Sequence, residues 1–188
     1  MYLYGASGHA KVIIEILENL GVSISGIFDD NPDIKELMGY PVNGAYKQVD
    51  QLSEPLIISI GNNMIRKKID DLYHLRYGLA FHPSAQISSR VSIGFGTVIM
   101  GHSILNAETK VGKHVIINTS ASIDHDCIIG DYVHISPNAT LCGGVIIGEG
   151  VHIGAAAVII PGVRIGKWSI IGAGSVVIKD IPEYATVV

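Results

Sequence analysis

From Ile87 to Val177 a large aliphatic residue returns at every sixth position, sixteen times without a break. An amphipathic helix would space its apolar residues by three and four, and an ordinary half-buried strand would alternate them. A period of six demands a short strand and a corner, repeated, which is the hexapeptide pattern of a parallel β-helix. Three such hexads make an 18-residue triangular coil, so the series predicts a little over five coils, each rising by about 4.8 Å, one strand spacing. Four positions after each aliphatic lies a small or β-branched residue, such as Val91, Thr97, Ser103, Ala121, Cys127, Ala157 or Ser175, sized for a tight corner. Glycine often follows the aliphatic directly, at Gly94, Gly112, Gly130, Gly148, Gly154, Gly166 and Gly172, where it is expected to permit unusual backbone angles.

The chain before the repeat has another rhythm. "MYLYGASGHAKVIIEILENLG" reads as a strand, a glycine turn and a helix with an apolar stripe at Val12, Ile13, Ile16, Leu17 and Leu20. "VSISGIFDDN" and "PLIISIGNN" read as two further strands, and "MIRKKIDDLYHLRYG" as a second helix. Alternation of this kind predicts a small parallel α/β sheet over 1–82, with residues 83–188 forming the repeat domain. Its ligand crevice belongs beyond the carboxyl ends of the strands, which carry Gly5, Ser7, Gly8 and His9, then Asp29 and Asp30, then Gly61 and Asn62. The turn lacks a full G-x-G-x-x-G and the domain is short for a dinucleotide. A nucleotide diphosphate fits better, its phosphates at the helix N-terminus and its ribose or base on Asp29 or Asp30. Against that stands the simpler reading, in which Gly5 and Gly8 only close a strand–helix turn.

Composition narrows the class. Of 188 residues 48% are apolar and 16% charged, which suits extensive burial, and a net charge of -4 argues against a nucleic-acid partner. Neither a charged-then-apolar leader nor an apolar run near 18 residues is present, so a cytoplasmic protein without a membrane span is expected. Two cysteines, Cys127 and Cys142, are too few for a disulfide framework.

The segments "YGASGH", "FDD", "IGNNMIRKKI", "HPSA", "INTSASIDHDC", "IGDYVHISPNATLCGGVIIGEG" and "VVIKDIP" occur in this order along almost the whole chain. In them the chain resembles the bacterial sugar O- and N-acyltransferases, typified by sialic acid O-acetyltransferases and UDP-4-amino-sugar N-acetyltransferases of the bacillosamine type. The resemblance implies a Rossmann-like nucleotide-sugar domain followed by a left-handed β-helix, a homotrimer with active sites between subunits, and acetyl-CoA as acyl donor without a metal. It also implies that His125 is the general base, Asp126 its orienting acid, and the glycine turn with His9, Asp29 and Asp30 the holder of uridine diphosphate. Relatives continue past "VVIKDIP" into a G-x-P-A-K-like tail that helps cover CoA. This chain stops at "YATVV", so either its end is clipped or the adenine end of CoA is held differently.

The repeat places this chemistry. In the hexad beginning at Ile123, Asp124 flanks the strand while His125 and Asp126 fall at the corner, outside the packed core. A carboxylate beside an accessible imidazole fixes its tautomer and stabilises the imidazolium that forms. Eighteen residues on, Gly143 occupies the same corner one coil along, its N–H uncrowded and suited to an oxyanion. His134 lies nine residues from His125, half a coil away, so the two meet only if one comes from a neighbouring subunit; otherwise His134 is a polar face residue stacked on His152. Either substrate or CoA is its expected ligand, and the pantetheine arm is expected along Gly154, Ala155, Gly172 and Ala173. Cys127 reads as core rather than nucleophile. His102 and His114, with no adjacent carboxylate, read as surface, and Trp168 as an outer-corner residue that either stacks on adenine or simply packs.

Rival chemistries are weaker. A hexapeptide-repeat carbonic anhydrase needs two zinc histidines five residues apart, and His9, His74, His82, His102, His114, His125, His134 and His152 contain no such pair. A non-catalytic nucleotide-sugar-binding scaffold would not need the His125–Asp126 pair. Among acetyltransferases a UDP-4-amino-4,6-dideoxy sugar is the expected acceptor, with sialic acid and a GDP-linked amino sugar such as perosamine as alternatives.

Overall fold

The computed structural model describes residues 1–45, 52–73 and 75–188; His74 lies outside them. Strands β1 (Tyr2–Tyr4), β2 (Gly26–Phe28) and β5 (Leu56–Ile58) form a parallel sheet in the order β2-β1-β5. Helix α1 (Gly8–Asn19) packs on the face carrying Leu3, Ile27 and Ile57, and α2 (Asn63–Tyr73) shares a cluster with Tyr4, Leu56 and Ile58 on the other. A hairpin that the sequence reading lacked, β3 (Glu36–Leu37) with β4 (Tyr40–Pro41), turns through Met38 and Gly39 at φ 51° and 83°. Two successive positive φ values are the geometry that matches strand twist in a two-residue hairpin.

The buried stripe of α1 differs from the expected one. Ala10 and Ile14 are buried with Ile13, Ile16 and Leu17, whereas Leu20 is 45% exposed at the C-cap. The reason is that α1 is covered twice. The apolar cluster around it continues into Ala80, Val98, Met100 and Ile116 of the repeat domain, so the helix buries more of its circumference than one sheet requires.

The repeat is a parallel β-helix of about six turns with three flat faces of seven, six and five strands, of the left-handed hexapeptide type. Pairing advances by 18 residues per coil, as in Ile104↔Ser122, Lys110↔Ile128 and His134↔His152. The six-residue series stacks in an apolar column that includes Leu105, Ile117, Ile123, Ile135, Ile147, Ile159 and Ile171. The prism runs past the aliphatic series at both ends. Its first strand, Ala80–Phe81, precedes the expected domain boundary at 82 and puts an aromatic six residues before Ile87. At the other end Ile165 pairs with Ile181 and Ile170 with Thr186, a step of 16, so a coil shortened by two residues carries Ile181 and Val187 inward out of the old phase.

The corners correct the expectation for glycine. From Ile93 to Ile171 the left-handed backbone position lies three residues after each inward aliphatic and is filled mostly by residues other than glycine, among them His102, Glu108, His114, Ser120, Asp126, Tyr132 and Asn138. The glycine directly after the aliphatic has another task. A Cβ on Gly130 would stand 2.7 Å from the Glu149 nitrogen, and one on Gly148 2.7 Å from that of Lys167. Successive coils pass too closely there for a side chain.

Arg66 of α2 locks the two halves together. It is 1% exposed, and its guanidinium donates to the carbonyls of His114 (3.0 Å), Ile60 (3.1 Å), Gly61 (3.0 Å) and Tyr132 (2.8 Å) and to Asn63 Oδ1 (3.0 Å). Asn63 in turn donates to Gly150 and Val151 carbonyls. Beside them the Asp70 carboxylate takes Lys113 Nζ at 2.8 Å and the Tyr132 hydroxyl. Among the described residues no helix is long and apolar enough to cross a membrane.

Candidate active site

His125 stands on the prism edge between the six- and five-strand faces, 60% exposed by its side chain. Its Nδ1 is 2.7 Å from Asp126 Oδ2, whereas Nε2 is 3.9 Å from Asp124 Oδ2. Asp126 is therefore the acid that orients the ring, and Nε2 is the nitrogen left for chemistry. The hydrogen bond that Nδ1–H donates to Asp126, and then the charge of Asp124, raise the imidazole above its ordinary pKa. The ring lies over Gly143: a Cβ there would sit 2.7 Å from Cε1 and 2.8 Å from Nε2. The coil is threaded by Gly144 N–H to the His125 carbonyl and by Gly162 N–H to the Gly143 carbonyl. Gly143 N–H itself has no partner among the described residues.

The residues expected to hold a nucleotide gather elsewhere. Gly5, at φ 111°, has Ile60 Cγ1 only 2.5 Å from where a Cβ would be, so β1 turns toward α1 only with glycine. Gly8 faces open space, and the Ser7 hydroxyl makes no cap to α1. Asp29 is spent on this turn: Oδ2 accepts Ala6 N–H at 2.6 Å and Oδ1 accepts Asn31 N–H at 2.8 Å. Asp30 Oδ1 accepts the Tyr4 hydroxyl at 2.6 Å. Asn62 caps α2 by accepting Ile65 N–H at 3.0 Å.

Beyond the strand ends a cleft of about 500 Å³ opens between α2 and the seven-strand face, lined by Gly61, Asn62, Met64, His134, His152 and Trp168 among others. His134 and His152 stack with centroids 4.8 Å apart, each reaching diagonally to the preceding coil, His134 Nε2 to Asn118 Nδ2 and His152 Nε2 to Ser136 Oγ, both 3.0 Å. Among the described residues, His134 Nδ1 and His9 Nε2 are buried with no hydrogen-bond partner within bonding geometry. Burial, and then the neighbouring His152 charge, push His134 down to about 3; burial and Arg66 push His9 down to about 4. These imidazoles are neutral at physiological pH and available as acceptors or donors to a bound ligand.

The seven-strand face lies opposite the edge that bears His125, so one chain does not bring His134 and His125 together. Gly154, Ala155, Gly172 and Ala173 form a shelf of small residues where that face ends, on successive coils. Trp168 packs flat against Gly150 at the mouth of the cleft. Cys127 is buried, its Sγ 3.3 Å from the Cys142 carbonyl. His102 is exposed as expected, but His114 is not on the surface. It is fully buried against Tyr77 and Tyr132, and burial pushes it to about 4 even though Asp70 Oδ1 is 3.4 Å from Nε2. Its ring is covered by Tyr77, Phe95 and Tyr132, with Asp70 of α2 beside it, and none of these has a signature near residue 114. Asn118 was missed for a similar reason, since its contact with His134 spans 16 residues rather than the coil repeat of 18.

Residues 1–71 match the PglD N-terminal domain family, and residues 108–143 and 144–179 match the bacterial transferase hexapeptide family. A histidine-to-asparagine variant of perosamine N-acetyltransferase from Caulobacter crescentus, solved with CoA and GDP-perosamine, is 36% identical, with a TM-score of 0.94 over 98% of this chain and 91% of that one. The acetyltransferase domain of PglB from Neisseria gonorrhoeae, solved with acetyl coenzyme A, is 33% identical with a TM-score of 0.91 over 98% and 93%. The UDP-N-acetylbacillosamine N-acetyltransferase of Bacillus subtilis is 40% identical over 111 residues, 52% of this chain and 50% of that protein. An uncharacterized mimivirus protein is 36% identical over 114 residues, 23% of its length, so the chain spans half or less of the curated relatives it matches. Matched over both halves and nearly end to end, the chain belongs to the hexapeptide-repeat sugar N-acetyltransferases with a PglD-type N-terminal domain.

Proposed function

We propose that the protein transfers an acetyl group from acetyl-CoA to the 4-amino group of a nucleotide-linked 4-amino-4,6-dideoxy sugar, with His125 as general base. The observation that carries this is the corner itself: Asp126 occupies Nδ1, Nε2 is open, and the ring lies over Gly143, whose N–H has no partner among the described residues. The amine nitrogen attacks the thioester carbonyl and the C–N bond forms. Gly143 N–H donates to the oxyanion, the nitrogen loses a proton to Nε2, and the C–S bond breaks as the imidazolium returns that proton to the departing thiolate. A fixed carboxylate on Nδ1 stabilises the imidazolium through this sequence.

The nucleotide belongs at the glycine turn, with its diphosphate at the open start of α1 near Ser7, Gly8 and His9. With the carboxylates of Asp29 and Asp30 already engaged on Ala6, Asn31 and Tyr4, the two acids shape the turn first and meet the nucleoside second. The sugar would enter the cleft at Gly61, Asn62 and His134, and the CoA arm would lie along Gly154, Ala155, Gly172 and Ala173. Because that cleft and His125 are on opposite sides of the prism, a complete site needs a second copy, and a homotrimer closes three of them by symmetry. Uridine diphosphate is the first choice of nucleotide, on the similarity to the Bacillus enzyme. A GDP-linked sugar is the second reading, favoured by similarity along nearly the whole chain to the perosamine enzyme.

Thiol release from acetyl-CoA, measured with UDP- and GDP-linked amino sugars and with sialic acid, separates these readings. Release with an amino sugar, reduced about a hundredfold or more in His125→Ala, is expected. Release with sialic acid alone would overturn the acceptor, and release with none of the three would overturn the proposal.

A further inference from the structure

Resting on the acetyl-transfer reading, we propose that Asp124, held in place by Asn106, selects an amine over a hydroxyl acceptor at the His125 corner. The two acids beside His125 are not equivalent. Asp126 is bound to Nδ1 and is turned away from the reacting side. Asp124 Oδ1 is pinned by two donors, Asn106 Nδ2 at 2.9 Å from the coil before and the His125 backbone N–H at 2.8 Å. That leaves Oδ2 as its free acceptor, on the side of the reactive nitrogen, 3.9 Å from Nε2.

Nε2 and Oδ2 thus form a pair of acceptors about one bridging atom apart. An acceptor nitrogen carries at least two protons. It gives one to Nε2 and the other to Asp124 Oδ2, while its lone pair faces the thioester. A hydroxyl has one proton, and on donating it to Nε2 it leaves a lone-pair oxygen beside an unpaired carboxylate oxygen. Donors to a charged partner are worth more than neutral ones, and an acceptor that cannot supply one is discriminated against. Asp124 takes no proton in the transfer; His125 does.

Asn106 is the positioning residue. It occupies the place of Asp124 one coil earlier, where Ile104–Leu105 pairs with Ser122–Ile123. Without its amide, the carboxylate keeps only the His125 N–H and is free to rotate.

The test compares wild type, Asp124→Asn and Asn106→Leu, using UDP- and GDP-linked 4-amino-4,6-dideoxy hexoses and their 4-hydroxy counterparts, with kcat and KM for each acceptor and for acetyl-CoA. Thermal unfolding checks that the variants are folded. Asp124→Asn places an amide donor or a neutral oxygen where the carboxylate was. Its kcat/KM for the amine is expected to fall about tenfold to a hundredfold, chiefly through the sugar KM. The hydroxyl acceptor and the acetyl-CoA KM should change little, so the preference for amine narrows. Asn106→Leu should move the same ratio by less. Equal losses for both acceptors, or an unchanged ratio in both variants, would overturn the inference while leaving the acetyl-transfer reading intact. A wild-type enzyme that uses no amine acceptor would overturn both.

Discussion

At the scale of single residues, the corner at His125 makes two measurable demands. Asp126, and behind it Asp124, hold the imidazole above its ordinary pKa, and a base must be neutral to act. The acid limb of kcat/KM should therefore lie above about 6.5, the usual imidazole value. Asp126→Asn removes the larger cause, so that limb should move to lower pH as kcat falls, and a limb left in place would show that another group titrates. Gly143→Ala is the second demand. Its Cβ would stand within 2.8 Å of Nε2, so the ring must leave its seat over the backbone. A drop in kcat of about a hundredfold with an unchanged melting temperature is expected, because the corner itself is solvent-exposed. These residues could be placed from sequence because an 18-residue coil converts sequence offset into spatial adjacency. Asn118 and His134 touch on a diagonal of 16 and escaped the same rule.

Among elements, the join between α2 and the prism is the least legible part of the chain. Arg66 reaches His114 and Tyr132, 48 and 66 residues away, and Asp70 reaches Lys113 and Tyr132, 43 and 62 away. Sequence periodicity showed α2 to be helical, yet nothing in it assigns Arg66 to the buried side, where a charge ordinarily does not go. The guanidinium is tolerated because backbone carbonyls solvate its donors in place of water. Arg66→Met keeps the bulk and leaves those carbonyls buried and unpaired, at a cost of about 3 kcal/mol or more. For a chain of this size, each kcal/mol lowers the midpoint by about 2–4 °C. A fall of about 6–12 °C in thermal unfolding is expected, and a shift below about 2 °C would mean water reaches the carbonyls. The buried His114, expected at the surface, belongs to the same junction: its ring is covered by Tyr77, Phe95 and Tyr132, and its carbonyl accepts from Arg66.

For the whole molecule, the division of labour between opposite sides of the prism has its own consequence. If each site takes His125 from one copy and the cleft with His134 from another, two inactive variants should complement. Denatured and co-refolded His125→Ala and His134→Ala chains are expected to regain a fraction of wild-type activity, since mixed assemblies contain some sites with neither lesion. No recovery from mixtures shown by native mass spectrometry to be hybrid would place both residues in one chain's site. The sequence by itself determined the prism, its inward column, its corners and the stacking of His125 on Gly143, because each coil meets nearly the same surroundings as the last and local pattern suffices. It did not determine which face the α/β unit would cover, that α1 would be buried on two sides, or that His9, His114 and His134 would be held neutral. Those were decided only by tertiary structure, because desolvation depends on what packs against a residue, and here the packing partner lies tens of residues away in the chain.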